Sequence, residues 1–110
     1  MEHLFVELTA FTRKVVRLDL EDDLRALEDH LRENPTAGMI DPGTCGLRKI
    51  RMAVVKRRKG KRFGARVHYL YDAPHRTIFF FNLYLKEEQS TLTSAQKKML
   101  CALVDQLTEQ

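Results

Sequence analysis

Apolar residues in the first third of the chain follow a strand period and then a helical one. Residues 3–8 alternate as a half-buried strand does, with Leu4, Val6 and Leu8 on one side. Residues 9–18 predict a short helical turn, because three apolar positions share one face: Phe11, Val15 and Leu18. Asp19 suits the N-cap of a second helix of roughly fourteen residues. The apolar stripe of that helix consists of Leu20, Leu24, Leu27 and Leu31.

The second half of the chain predicts three strands. Residues 47–55 and 65–71 each alternate between apolar and polar side chains, which is typical of strands with one covered face. In the first of them, Lys49 and Arg51 project from the polar side. Residues 77–85 are almost continuously apolar, which indicates a central strand covered on both faces. A basic hairpin connection joins the first two strands, and a short turn joins the last two.

A closing helix completes the predicted fold. Thr93 and Gln96 form a capping-box pair at its start, and its apolar stripe consists of Leu100, Leu103, Val104 and Leu107. The predicted element order is β-α-α-β-β-β-α. We expect a single α+β domain over residues 1–110, since a chain of this length has room for one core. Its predicted architecture is an antiparallel β-meander with helices packed on one face.

Charge is distributed very unevenly over this predicted fold. Residues 48–66 contain ten of the nineteen Lys and Arg residues, and no Asp or Glu lies between Asp41 and Asp72. The remaining nine basic and fifteen acidic residues give the rest of the chain a formal charge of 9 − 15 = −6, which the net charge of +4 conceals. A field this localised attracts polyanions such as nucleic acids. The alternative is a solvated basic loop without a partner.

The two cysteines and the apolar segments limit the remaining classes of protein. Cys45 and Cys101 match no metal-ligand spacing, so we expect two free thiols in a reducing compartment, the cytoplasm. The apolar stretch near the N-terminus is too short and interrupted for a signal peptide, and no segment approaches a membrane span. We expect no membrane partner, no bound metal and no cofactor.

Five side chains are candidates for catalysis: Lys49, Arg51, Arg66, His68 and Lys86. Their strand positions predict that they converge on one open surface beside the hairpin. The cations near the hairpin are the candidates for RNA binding: Lys56, Arg57, Arg58, Lys59, Lys61 and Arg62. Several positive charges can stabilise the transition state of phosphodiester cleavage without a metal, and RNA supplies its own nucleophile, the 2′-hydroxyl. Candidates for the proton acceptor are His68 and Lys49, although a strand histidine is more often structural.

Four runs in the sequence are similar to one known family: GLRKIR (46–51), KGKR (59–62), GARVHY (64–69) and LYLKEE (83–88). Over roughly residues 3–107 the chain resembles the HigB-like branch of the RelE/ParE toxin superfamily. The resemblance implies a RelE-like fold and the toxin of a bacterial type II toxin–antitoxin pair, which enters the ribosomal A site and cuts translated mRNA.

The resemblance also implies roles for particular residues and partners. Lys49, Arg51, Arg66 and Lys86 match basic positions of the family, and the expected partners are the ribosome with its mRNA and a cognate antitoxin, a helix-turn-helix protein. Thr91 stands where some members have a tyrosine or an aspartate. The proton acceptor therefore cannot be assigned from the resemblance.

Two other functions compete with the mRNA endonuclease. The first is a DNA gyrase poison of the ParE type, which binds protein and needs no catalytic residues. The second is a non-enzymatic module that holds RNA or DNA with its basic hairpin. The basic strand pair together with Arg66 and Lys86 favours the nuclease. The short helical turn before a single longer helix argues against the gyrase poison.

Overall fold

The computed structural model of the chain describes residues 2–55 and 64–109. The elements in chain order are β1 (Leu4–Glu7), α1 (Thr9–Arg17), α2 (Glu21–Glu33), β2 (Met39–Ile40), β3 (Arg48–Ala53), β4 (Gly64–Asp72), β5 (Thr77–Leu85) and α3 (Ser94–Thr108). The predicted α+β class is therefore confirmed. Two elements differ from prediction: residues 9–17 form a full helix, and the loop before β3 contains the additional short strand β2. None of the described helices is long and apolar enough to cross a membrane.

Within residues 2–55 and 64–109 the sheet has five strands, in the order β1-β5-β4-β3-β2. Strands β2 to β5 pair antiparallel with their neighbours, whereas β1 pairs parallel with β5, from Leu4 opposite Thr77 to Glu7 opposite Phe80. The prediction of an antiparallel sheet is therefore wrong, and the sheet is mixed. Alternation within a strand does not specify the direction of its neighbour. β5 is buried along most of its length, so the backbone groups on the edge that does not face β4 need hydrogen-bond partners. β1 supplies these partners by pairing with that edge of β5.

The helices lie on both faces of this sheet, and not on one face as predicted. The α1–α2 face carries the larger apolar cluster, in which Phe11, Leu24 and Leu31 pack against strand residues such as Val67 and Phe80. The α3 face carries a separate cluster of buried residues: Leu47, Phe81, Tyr84, Leu92, Leu100 and Val104. Because successive strand residues point to opposite faces, the apolar β5 supplies both clusters. The prediction that β5 is covered on both faces is confirmed.

Local signals at the helix ends were partly correct. The capping box of α3 is present: the Gln96 N–H donates to Thr93 Oγ1 at 3.1 Å, and the Thr93 N–H donates to Gln96 Oε1 at 2.9 Å. The predicted N-cap of α2 is wrong, because Leu20 occupies that position. Asp19 adopts a left-handed conformation with φ of 57° in the turn between α1 and α2. This turn folds α2 back so that the stripes of both helices meet the same face of the sheet.

Candidate basic site on the sheet

Strand register brings three predicted cations together on the α3 face. Arg51 of β3 lies directly opposite Arg66 of β4, and Lys49 lies opposite His68. Directly opposite residues share a face and have Cβ atoms about 4.5–5.5 Å apart. Ile50 and Met52, which alternate with these residues, pack into the cluster on the other face. The predicted orientation of this strand is therefore confirmed.

Lys86 joins the same end of the sheet. It is the first residue after β5, and its backbone N–H donates to the Gly64 carbonyl at 2.9 Å, which extends the pairing with β4 by one hydrogen bond. Alternation from Tyr84, which is buried on the α3 face opposite Arg66, places Lys86 on that face as well. We refer to Lys49, Arg51, Arg66 and Lys86 as the basic cluster.

In the described part of the chain, the basic cluster has no acidic partner. Arg51 and Lys86 are exposed, Lys49 and Arg66 are half-buried, and in the described ranges no Asp or Glu forms a salt bridge with any of the four. Arg66 donates to the carbonyl of its neighbour Ala65 at 3.4 Å. Like charges directly opposite on antiparallel strands destabilise a sheet. The Arg51–Arg66 pair, with Lys49 and Lys86 nearby, is therefore a site of positive charge that a bound anion would neutralise.

Six cations are predicted to bind RNA: Lys56, Arg57, Arg58, Lys59, Lys61 and Arg62. All six fall outside the residues that the structure describes. The described ends of the two strands, Ala53 and Gly64, are paired with each other. The basic cluster begins two residues from this pair, at Arg51 and Arg66.

His68 is fully buried and does not reach the surface of the basic cluster. Its side chain has 0% exposure, and its Nε2 atom lies 2.8 Å from Oδ2 of Asp41. Burial lowers the pKa of His68, an effect that the hydrogen bond to Asp41 partly opposes. A neutral ring then donates its Nε2 hydrogen to the carboxylate, while the buried Nδ1 has no hydrogen-bond partner in the described structure. This placement argues against the predicted role of His68 as the acceptor of a substrate proton.

The partners of His68 come from segments far from it in the chain and were not predicted. Asp41 is 7% exposed and begins a tight loop, the 41–47 loop, in which its backbone N–H donates to the Leu47 carbonyl at 2.9 Å. From α3, Lys97 Nζ lies 3.9 Å from Asp41 Oδ1 and donates to the Pro42 carbonyl at 3.0 Å. In the sequence, the one indication of a role for Asp41 was its position at the start of a loop rich in Gly and Pro. The 41–47 loop therefore contacts α3 through Lys97 and contacts β4 through the hydrogen bond between Asp41 and His68, the residue directly opposite Lys49.

Cys45 and Cys101 form a disulfide, which corrects the prediction of two free thiols. They are separated by 56 residues, but the fold of the 41–47 loop against α3 brings their Cα atoms to 5.1 Å. Sequence spacing could not show this proximity. A carboxylate oxygen of Asp105 lies within 4.8 Å of both sulfurs. Metal binding by this group would require thiolates, and therefore a reduced pair.

No protein-family model matches the chain. The resemblance to HigB-like toxins therefore stays a prediction that rests on the four runs quoted above. The geometry of the basic cluster is independent of that resemblance, because it follows from strand register and side-chain exposure alone.

Proposed function

We propose that the protein is the toxin of a type II toxin–antitoxin system, with a RelE-like fold, that cuts translated mRNA on the ribosome without a metal. One observation carries the proposal: Arg51 and Arg66 lie opposite each other on one face, with Lys49 and Lys86 nearby and no acidic partner in the described ranges. Such a surface matches the charge of an RNA backbone. The ribosome and the helix-turn-helix antitoxin enter through the family resemblance.

The reaction needs little from the protein beyond charge and position. The RNA 2′-oxygen attacks the adjacent phosphorus as the bond to the 5′-oxygen breaks, so the 2′-hydroxyl loses a proton and the leaving oxygen gains one. Arg66 and Arg51 hold the non-bridging phosphate oxygens, since a guanidinium can bind two of them at once. Preorganised cations of this kind stabilise the negative charge of the transition state.

Different parts of the site take different roles. Lys49 is the candidate for the proton acceptor, because it is half-buried on the face of the basic cluster, directly opposite the buried His68. Only the neutral amine can accept a proton, so in this step Arg51, Arg66 and Lys86 supply the positive charge that stabilises the transition state. Lys86, exposed at the end of the sheet, binds a neighbouring phosphate. His68 and Asp41 are positioning residues, since they support the strand beneath Lys49 and are too buried to touch RNA.

Single-turnover cleavage of mRNA on programmed ribosomes tests the proposal. Arg66→Ala should slow cleavage by about 10²–10³-fold, the usual loss for one preorganised charge, and Arg51→Ala by a smaller factor because neighbouring cations remain. Arg13→Ala is the matched control, since Arg13 is an exposed arginine on α1, the helix packed on the other face. It should cleave normally.

Three results would contradict the proposal. Full activity of Arg66→Ala would remove the basic cluster from the reaction. RNA binding by the wild-type protein without any cleavage would instead support the non-enzymatic module. Growth arrest with intact mRNA and cleaved DNA would support the gyrase poison.

A further inference from the structure

The Cys45–Cys101 disulfide is placed where solvent can reach it. Cys45 is exposed and Cys101 is half-buried. Cys45 has a φ of 60°, a left-handed conformation that is unfavourable for a residue other than glycine. It lies between Gly43 and Gly46, which also have positive φ. Exposed or strained disulfides exchange with thiols more readily than buried ones.

The same disulfide connects α3 to the polar pair beneath the basic cluster. The 41–47 loop carries Cys45 at its tip and Asp41 at its start, and Asp41 accepts the hydrogen bond from buried His68. His68 lies directly opposite Lys49. Among the described residues of α3, Lys97 contacts the loop through polar atoms, at Pro42 and Asp41. Leu47 at the end of the loop also lies in the buried cluster of α3. A chain of described contacts therefore runs from the sulfurs to the basic cluster.

We propose that Cys45–Cys101 is a reversible thiol–disulfide exchange site whose state controls RNA binding at the basic cluster. The reactant is a low-molecular-weight thiol such as glutathione. Its thiolate attacks the exposed Cys45 sulfur, Cys101 leaves as a thiolate, and a second thiol then attacks the mixed disulfide to release Cys45. Two protein thiols and one disulfide of the reactant are formed, so electrons and atoms balance.

Reduction removes the covalent link between Cys45, at the tip of the 41–47 loop, and α3. Leu47 stays packed in the cluster that contains Leu100 and Val104 of α3, and Lys97 remains the polar connection between the described residues of the loop and that helix. Asp41 then holds His68 less firmly, and the strand position of Lys49 becomes less well defined. The oxidised protein is therefore the form with the better organised basic cluster. The effect of the disulfide on RNA binding rests on the proposed function, whereas the exchange reaction itself does not.

Alkylation of thiols in the folded protein tests the exchange step. Glutathione should reduce the disulfide under conditions in which circular dichroism shows that the fold is intact, and both cysteines should then react with iodoacetamide. Asp105→Asn should react a few times faster, because the Asp105 carboxylate repels the incoming and the leaving thiolates. A disulfide that opens only when the protein is unfolded would overturn the proposal.

Hydrogen exchange tests the structural coupling without reference to RNA. Backbone amides of α3, of residues 41–47 and of β4 near His68 should exchange faster in the reduced protein and in the Cys45→Ser, Cys101→Ser double variant. The α1–α2 helices serve as the internal control and should not change. Identical protection in both redox states would overturn the coupling, even if RNA binding were never detected.

RNA binding by short single-stranded RNA completes the test. The reduced protein and the double serine variant should both bind at least about fivefold more weakly than the oxidised protein, the lower end of known couplings between distinct sites. Because coupling is reciprocal, bound RNA should lower the reduction potential of the pair by about 20 mV for that factor. Equal affinity in both states would overturn control of the basic cluster. No RNA binding in either state would refute the proposed function while leaving the exchange result intact.

Discussion

The two faces of the sheet are built from the same strands but differ in what they do. On the α1–α2 face, β3 and β4 contribute Met52 and Val67 to a cluster of fifteen buried residues. On the α3 face, the neighbouring positions Arg51 and Arg66 are cations, and the buried cluster has six residues. Most of the buried apolar side chains therefore lie on the α1–α2 face. The other face can therefore carry unbalanced charge beside a small core.

A matched pair of leucine substitutions would test this division most strongly. Leu31→Ala removes a fully buried side chain from the α1–α2 face, and Leu100→Ala removes one from the α3 face that is 2% exposed. Such substitutions lower the free energy of unfolding by about 2–5 kcal/mol. We expect Leu31→Ala near the upper end and Leu100→Ala near the lower end, because the smaller cluster has fewer neighbours and can relax around the cavity. Urea unfolding of the oxidised proteins measures both.

An equal or larger loss in Leu100→Ala would contradict the division between the faces. It would show that the α3 face contributes as much to stability as the larger cluster.

The pH dependence of stability should reveal the buried histidine of the α3 face. Burial lowers the pKa of folded His68 below its ordinary value of 6.5, so the unfolded chain takes up a proton first as the pH falls. The unfolded state then binds more protons, and the free energy of unfolding decreases below pH 6.5, by at most about 1.4 kcal/mol per pH unit. Above pH 6.5 the contribution of the neutral His68 ring to the free energy of unfolding is fully present.

The control is His68→Gln, which retains a hydrogen-bond donor for Asp41 but does not titrate. Its unfolding free energy, measured between pH 7 and pH 5, should fall less steeply than that of the wild-type protein. Since all other titrating groups are common to both proteins, the difference between the two profiles isolates His68. A steeper profile in the variant would mean that the folded protein favours charged His68.

The smallest expected effect is a gain in stability when the arginine pair is broken. Arg51→Thr places a β-branched residue at an exposed strand position and removes the like charge opposite Arg66. The free energy of unfolding should rise by roughly 0.2–1 kcal/mol while RNA cleavage falls. Arg13→Ala, on the other side of the sheet, should change neither quantity appreciably. Loss of stability in Arg51→Thr would show that the pair is not repulsive.

The sequence was sufficient for those features that depend on residues close together in the chain. Alternation placed Lys49 and Arg51 on the side of β3 opposite Ile50 and Met52, and the Thr93–Gln96 spacing located the start of α3. Both signals are local, because a strand repeats every two residues and a capping box spans one helical turn. The same local patterns misplaced the N-cap of α2, where the turn after α1 determines the backbone conformation of Asp19.

Only the tertiary structure decided the features that depend on which distant elements meet. The parallel direction of β1, the position of α3 on the second face and the disulfide between Cys45 and Cys101 all join segments far apart in the chain. The burial of His68 has the same origin, since Asp41 from a distant loop accepts its hydrogen bond. By itself the sequence determined most of the elements, the sidedness of β3 and the concentration of positive charge. Chain folding decided which cations share an open surface and which titratable group lies beneath it, because burial is a property of all the neighbours of a residue together.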